Sequence, residues 1–170
     1  DMWYVYHKGL NGGTNPNNYH ISLNNTAAQA SDGVIDVGTT ASHLGLRRPG
    51  GDSSATNDNT ANYIAMLFAS VEGISKVGYY EGTGYSGLQI STGFNPRYLI
   101  LKRTDDTGPW YVLDTVRGWG AGNDKYLAMN NTDAEIDFDF GAPTATGFQI
   151  DTTIAQVNAS GGKYIYYAHA

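Results

Sequence analysis

The strongest constraint in this sequence is that it repeats itself. Trp3-Tyr4-Val5 returns as Trp110-Tyr111-Val112, an offset of 107. Tyr19 returns as Tyr126 at the same offset, and Asn24-Asn25-Thr26 returns as Asn130-Asn131-Thr132 at 106. Thr40-Ala41, with Leu44 and Leu46 behind it, matches Thr144-Ala145, Phe148 and Ile150 at 104. Asn57, Tyr63, Ile64 and Ala69 match Asn158, Tyr164, Ile165 and Ala170 at 101. The blocks keep their order while the offset drifts by short loop insertions, the mark of a duplicated unit. Two tandem copies of one domain of roughly 100 residues are therefore expected, the first over residues 1–72 and the second over 73–170. Nothing ahead of Trp3 matches residues 73–109, so the first copy is expected to lack its opening strands. Those strands would lie upstream in a longer polypeptide or come from a neighbouring molecule, since a sheet edge would otherwise stand open. Asp1 precedes Met2, so the chain reads as an excerpt or a processed product.

The repeated unit reads as all-β. The chain has 22 Gly and 13 Tyr, with many Asn and Thr and only 15% charged residues; Gly and Asn supply turns, Tyr and Thr supply strands. Residues 98–102 read as a buried strand after the turn signal Gly93-Phe94-Asn95-Pro96. Residues 110–114, 126–129 and 163–169 read as further strands. Over 135–140 the alternation is clean: Ile136, Phe138 and Phe140 share one face, Asp137 and Asp139 the other. Residues 62–71 carry Ala, Met and Leu and could form a helix by propensity alone. Their partner stretch 163–170 is rich in Tyr and Ile, so both are expected to be strands. About a dozen short strands indicate an antiparallel β-sandwich or jelly-roll-like unit.

Several function classes find no support. A net charge of −6 without a Lys/Arg stripe argues against a nucleic-acid partner; Arg47-Arg48 and Lys102-Arg103 are the nearest to a basic cluster. Without Cys there is neither a disulfide frame nor a thiolate metal site. No apolar run approaches the ~18 residues of a membrane span, and no signal-peptide pattern opens the chain. His7, His20, His43 and His169 lie outside metal-binding spacings. Their repeat partners are Asp114 for His7, Leu127 for His20 and Gly147 for His43, so surface or internally satisfied histidines are expected, with no metal and no cofactor. Asp137 and Asp139, about 7 Å apart on one strand face by the strand rise, are the carboxylate pair to weigh for glycoside hydrolysis; a solvated strand face is the expectation. Asp105-Asp106, Asp114, Asp133 and Glu135 are the other carboxylate candidates. Gly82-Thr83-Gly84 and Gly118-Trp119-Gly120 lack the Lys-Ser/Thr of a phosphate loop and read as turns, and no G-x-S-x-G elbow is present.

Aromatic residues are the best binding candidates. Trp119 lies in a Gly-rich loop, where its indole could stack on a sugar ring beside Asn123 and Asp124; these three are the candidate glycan contacts. The matching loop Gly9-Leu10-Asn11-Gly12-Gly13-Thr14-Asn15 has no Trp. Trp3 and Trp110 recur at matched positions and are expected to anchor a core. Asn24-Asn25-Thr26, Asn130-Asn131-Thr132 and Asn158-Ala159-Ser160 fit the N-glycosylation sequon, with a turn role as the simpler account.

Residues 73–84 (Gly73-Ile74-Ser75-Lys76-Val77-Gly78-Tyr79-Tyr80-Glu81-Gly82-Thr83-Gly84) and the run Thr92-Gly93-Phe94-Asn95-Pro96-Arg97-Tyr98-Leu99-Ile100-Leu101-Lys102-Arg103-Thr104-Asp105 resemble a repeated domain of tailed-bacteriophage virion structural proteins. Trp110-Tyr111-Val112-Leu113-Asp114, Asn158-Ala159-Ser160-Gly161-Gly162-Lys163-Tyr164-Ile165-Tyr166-Tyr167-Ala168 and Trp3-Tyr4-Val5-Tyr6-His7-Lys8-Gly9 look like the same family. The resemblance spans essentially the whole chain. It implies a tandem array in a tail fibre, appendage or surface decoration on the virion, contacting other virion proteins and copies of itself. It assigns no catalytic residues. A glycan-binding host-adhesion module is the alternative, and a glycan-cleaving enzyme the third reading.

Overall fold

The structure, a computed structural model, describes residues 2–31, 40, 42–46, 56–58 and 60–170. Ala41, Arg47 and Arg48 lie outside the described residues. Eleven strands are numbered in chain order: β1 (Tyr4–Val5), β2 (Ile21–Ser22), β3 (Ser75–Glu81), β4 (Leu88–Ser91), β5 (Tyr98–Arg103), β6 (Trp110–Asp114), β7 (Asp124–Ala128), β8 (Ile136–Phe138), β9 (Pro143–Thr144), β10 (Gly147–Ile150) and β11 (Lys163–His169). A one-turn helix, α1 (Ala155–Asn158), precedes β11.

Residues 73–170 supply a β-sandwich. One sheet has six strands in the order β3-β11-β5-β6-β7-β8, the other three in the order β4-β10-β9, and every pairing is antiparallel. Strand periodicity sends Leu99 and Leu101, Tyr111 and Leu113, and Tyr164, Tyr166 and Ala168 to the inner face of the larger sheet. There they meet Ile90, Phe148 and Ile150 of the smaller sheet in one core.

The outer face of the larger sheet is also covered. Ile100, Trp110 and Ile165 project from it and pack against Leu10 and Ile21, with Val5, Tyr19 and Leu23 alongside. The cover is the N-terminal segment, where β1 and β2 form a small antiparallel ladder. The Trp110 indole N–H donates to the Ser22 carbonyl at 2.8 Å, tying the cover to the sheet. Burial on both faces explains why β6 (Trp-Tyr-Val-Leu-Asp) is a continuous apolar run and not an alternating one.

Two stretches share their hydrogen-bond pattern in detail. Tyr4 faces Ser22 and Val5 faces Ile21, as Tyr111 faces Ala128 and Val112 faces Leu127. The Leu23 N–H donates to Trp3 O at 2.9 Å, and the Met129 N–H donates to Trp110 O at 3.0 Å. Asn24 Oδ1 accepts the Trp3 N–H at 3.1 Å, and Asn130 Oδ1 accepts the Trp110 N–H at 2.8 Å. His20 bridges Ala30 as Tyr126 pairs with Ile136. This register corrects two matches: the counterpart of Tyr126 is His20 and not Tyr19, and that of Leu127 is Ile21 and not His20, at the offset of 106 that Asn24 and Asn130 also keep. Further along, the Asp58 N–H donates to the Tyr63 hydroxyl at 2.9 Å and the Ala159 N–H to the Tyr164 hydroxyl at 2.7 Å.

Three expectations are corrected. Trp3 is 52% exposed whereas Trp110 is 5% exposed; Trp110 lies under the N-terminal cover, and no such cover lies over Trp3 among the described residues. Residues 62–70 join no sheet, and Val71 makes only an isolated bridge to Ser75. Their counterpart β11 is held between β3 and β5, and among the described residues no such pair flanks residues 62–70. The alternating strand at 135–140 is confined to Ile136–Phe138, with Phe140 turned into the core and 1% exposed.

Candidate functional site

The loop between β6 and β7 was the expected ligand site, and its own hydrogen bonds turn it inward. Asp114 Oδ1 accepts the Val116 N–H at 2.7 Å, and the Asp114 carbonyl accepts the N–H groups of Arg117 at 3.1 Å and Trp119 at 3.0 Å. Gly118, at φ 117°, reverses the chain in a conformation other residues rarely adopt. Trp119 is thereby driven into the core, 3% exposed, with its indole N–H donating to Gly141 O at 2.9 Å and its ring edge-on to Phe148. Asp124 is fully buried. Its Oδ1 accepts the Gly120 N–H and its Oδ2 the Phe140 N–H, both at 2.8 Å. Burial pushes this carboxyl above the usual aspartate range, and the N–H groups of Gly120, Phe140 and Gly141 pull it back in part. Asn123 alone of the three stays exposed. Trp119 and Asp124 therefore brace the loop from within, which corrects their placement as surface contacts.

The counterpart loop, residues 9–18, takes a different course. Asn11 (φ 52°) and Asn15 (φ 46°) both sit in the left-handed region, which Asn tolerates better than most side chains. Asn11, Asn15, Asn18, Tyr19 and Ser31 line an open pocket of about 440 Å³. Among the described residues its lining offers amide donors and acceptors, a serine hydroxyl and a phenol ring. Such groups can exchange hydrogen bonds with a hydroxyl-rich ligand.

The remaining polar candidates serve the backbone. His7 Nδ1 accepts the Gly9 N–H at 2.9 Å, so Nε2 carries the proton and donates to Tyr166 O at 3.2 Å. Burial holds this imidazole neutral, its pKa lowered to about 4. His7 thus does in its turn what the carboxylate of Asp114 does in the matching one. Lys102 is fully buried, with Nζ donating to Arg103 O at 2.7 Å and Thr26 O at 3.5 Å. Burial, helped by neighbouring Arg103, lowers its pKa to about 8. Asp137 and Asp139 are exposed, and Asp137 pairs with Lys125 at 3.3 Å.

Asn158, expected to serve a turn, does so from inside the fold. It is fully buried. Its Oδ1 accepts the Thr83 N–H at 2.9 Å, while Nδ2 donates to Tyr85 O at 2.8 Å and Thr152 O at 2.9 Å. One amide thus joins α1 to the turn after β3. The available signal was its recurrence opposite Asn57 in the repeat.

Among the described residues no three His, Asp or Glu side chains converge as a metal site, and no helix is long and apolar enough to cross a membrane. The chain matches, over residues 1–170, the family model described as Domain of unknown function (DUF7483), and it belongs to that family. No curated protein and no solved structure matches it.

Proposed function

We propose that this DUF7483 protein is a non-catalytic structural module of a tailed-phage virion, built from two copies of one β-sandwich unit, a first (residues 1–72) that lacks its opening strands and a complete second (residues 73–170). The observation that carries the reading is the matched hydrogen-bond pattern of the two hairpins, with Asn24 and Asn130 each fastening the N–H of a recurring Trp. Tandem copies of a rigid β-unit suit a part that bears load in a fibre, appendage or surface decoration. The use of His7, Asp114, Asp124 and Asn158 as backbone acceptors also fits a scaffold role. The phage setting rests on the resemblance of residues 73–105 to virion repeats. Its test is mass spectrometry and antibody labelling of purified particles. Stoichiometric recovery on the particle surface supports the reading; confinement to infected cells with none on the particle overturns it.

A second reading, a glycan-binding adhesion module, is favoured by the amide-lined pocket at Asn11, Asn15, Asn18, Tyr19 and Ser31. Retention on a glycan array that Asn18→Ala abolishes would support it, with Asn123→Ala as the control at the other loop. Equal retention of both variants and the parent chain would remove the pocket from consideration.

A further inference from the structure

Residues 62–68 form the most exposed apolar run among the described residues. Ile64 is 84% exposed, Met66 64%, Leu67 74% and Phe68 60%. Apolar side chains at successive positions are the pattern of a strand buried on both faces, and they suit neither a loop nor an edge. The chain carries the buried version of this strand. In the second stretch the turn closed by Gly162 N–H to Ala159 O leads into β11, as the turn closed by Ala61 N–H to Asp58 O leads into residues 62–68. β11 lies between β3 and β5, with Ile165 opposite both Tyr79 and Lys102 and 1% exposed. Ile64 is the counterpart of Ile165.

The end of the run and the residues just after it touch the edge of the existing sheet. Ser70 Oγ accepts the Val77 N–H at 3.0 Å, the Val71 N–H donates to Ser75 O at 2.9 Å, and the Phe68 ring lies 5.0 Å from that of Tyr167. Strands laid along residues 62–68 would start where the larger sheet already ends.

From this geometry we propose that residues 62–68 are a strand-accepting segment that takes up two antiparallel strands of the Ser75–Glu81 and Tyr98–Arg103 kind, supplied by another repeat segment of this family. The inference rests on the two-copy reading and adds to it the partner and the contact surface. Main-chain hydrogen bonds would provide the attachment, and pockets for alternate side chains the selectivity, as in other strand-addition complexes. The same supplied segment would lay its second strand beside β1, as β5 lies beside β6.

The test uses the whole chain with a second copy of the 73–109 sequence joined ahead of Met2. Amide hydrogen exchange is compared with that of the unextended chain. The expected result is exchange slowed by at least about 100-fold at residues 64–68 and also at β1. Protection at β1 alone would overturn the strand-accepting role and leave the two-copy reading standing. Protection at neither would overturn both.

Discussion

The main-chain N–H of Trp110 donates to the side-chain oxygen of Asn130 at 2.8 Å, closing the β6–β7 hairpin at its open end. The same closure recurs between Trp3 and Asn24, but at a solvent-exposed site. Asn130→Ala is expected to cost about 1–2 kcal/mol, because a partly buried donor is left unmade. Asn24→Ala is expected to stay within about 0.5 kcal/mol. Urea unfolding of the two variants checks the contrast, and equal costs would count against the burial argument.

Trp119 fills the core beside Phe148 and satisfies Gly141 O. Trp119→Ala should lose about 3–5 kcal/mol through the cavity it leaves. Trp119→Phe should lose less, about 1–3 kcal/mol, mostly through the unpaired carbonyl. Denaturant midpoints measured by far-UV circular dichroism distinguish the two, since the tryptophan signal itself is altered.

These two sites mark what the sequence made legible. The apolar run after a turn signal placed β5, the recurring Trp-Tyr-Val block placed β6 and the Tyr/Ile-rich stretch placed β11, because each signal lies within the strand itself. The position of Trp119 was not legible, since a Gly-rich loop looks solvated until Gly141 and Phe148, distant in the chain, are brought over it. The Tyr19 match failed for a related reason: identity of one residue outweighed the frame set by Asn24-Asn25-Thr26, which the ladder obeys. The state of residues 62–70 was hidden because strand formation depends on neighbours and not only on propensity.

His7 makes stability depend on acid. Its folded pKa, about 4, lies below its ordinary 6.5. The unfolded chain therefore takes up a proton first, and stability should fall as pH drops from 6.5 to 4, by up to about 3 kcal/mol in total. His7→Asn retains a side-chain acceptor for Gly9 and should flatten that window. Thermal unfolding across pH 4–7 compares the two proteins.

Lys102 acts in the alkaline range. Burial lowers its folded pKa from 10.5 to about 8. The unfolded lysine holds its proton longer, so stability should rise as pH increases above 8. Tyr80, Tyr111 and Tyr166 have raised folded values. Their unfolded forms ionise first near pH 10, which reverses the trend above that point. Lys102→Met should remove the rise between pH 8 and 10. An unchanged slope in the variant would show that another group titrates there.

The Asn158 amide is hydrogen-bonded to the loop backbone at Thr83, Gly84, Tyr85 and Thr152. Asn158→Ala should cost about 2–4 kcal/mol by stranding those groups, and amides of residues 83–85 should exchange faster. Asn158→Asp keeps the acceptor and loses both donors, and it should fall between the parent and the alanine variant.

The N-terminal segment bears on how the molecule can be divided. Leu10 and Ile21 roof Trp110 and Ile165, so a proteolytic nick near residue 72 would split the polypeptide where its sequence starts over without yielding two water-ready halves. The larger fragment would carry an oily flank, shift the emission of Trp110 to the red and adhere to its own kind. The seam in the text of the chain and the seam in its wetting are different places.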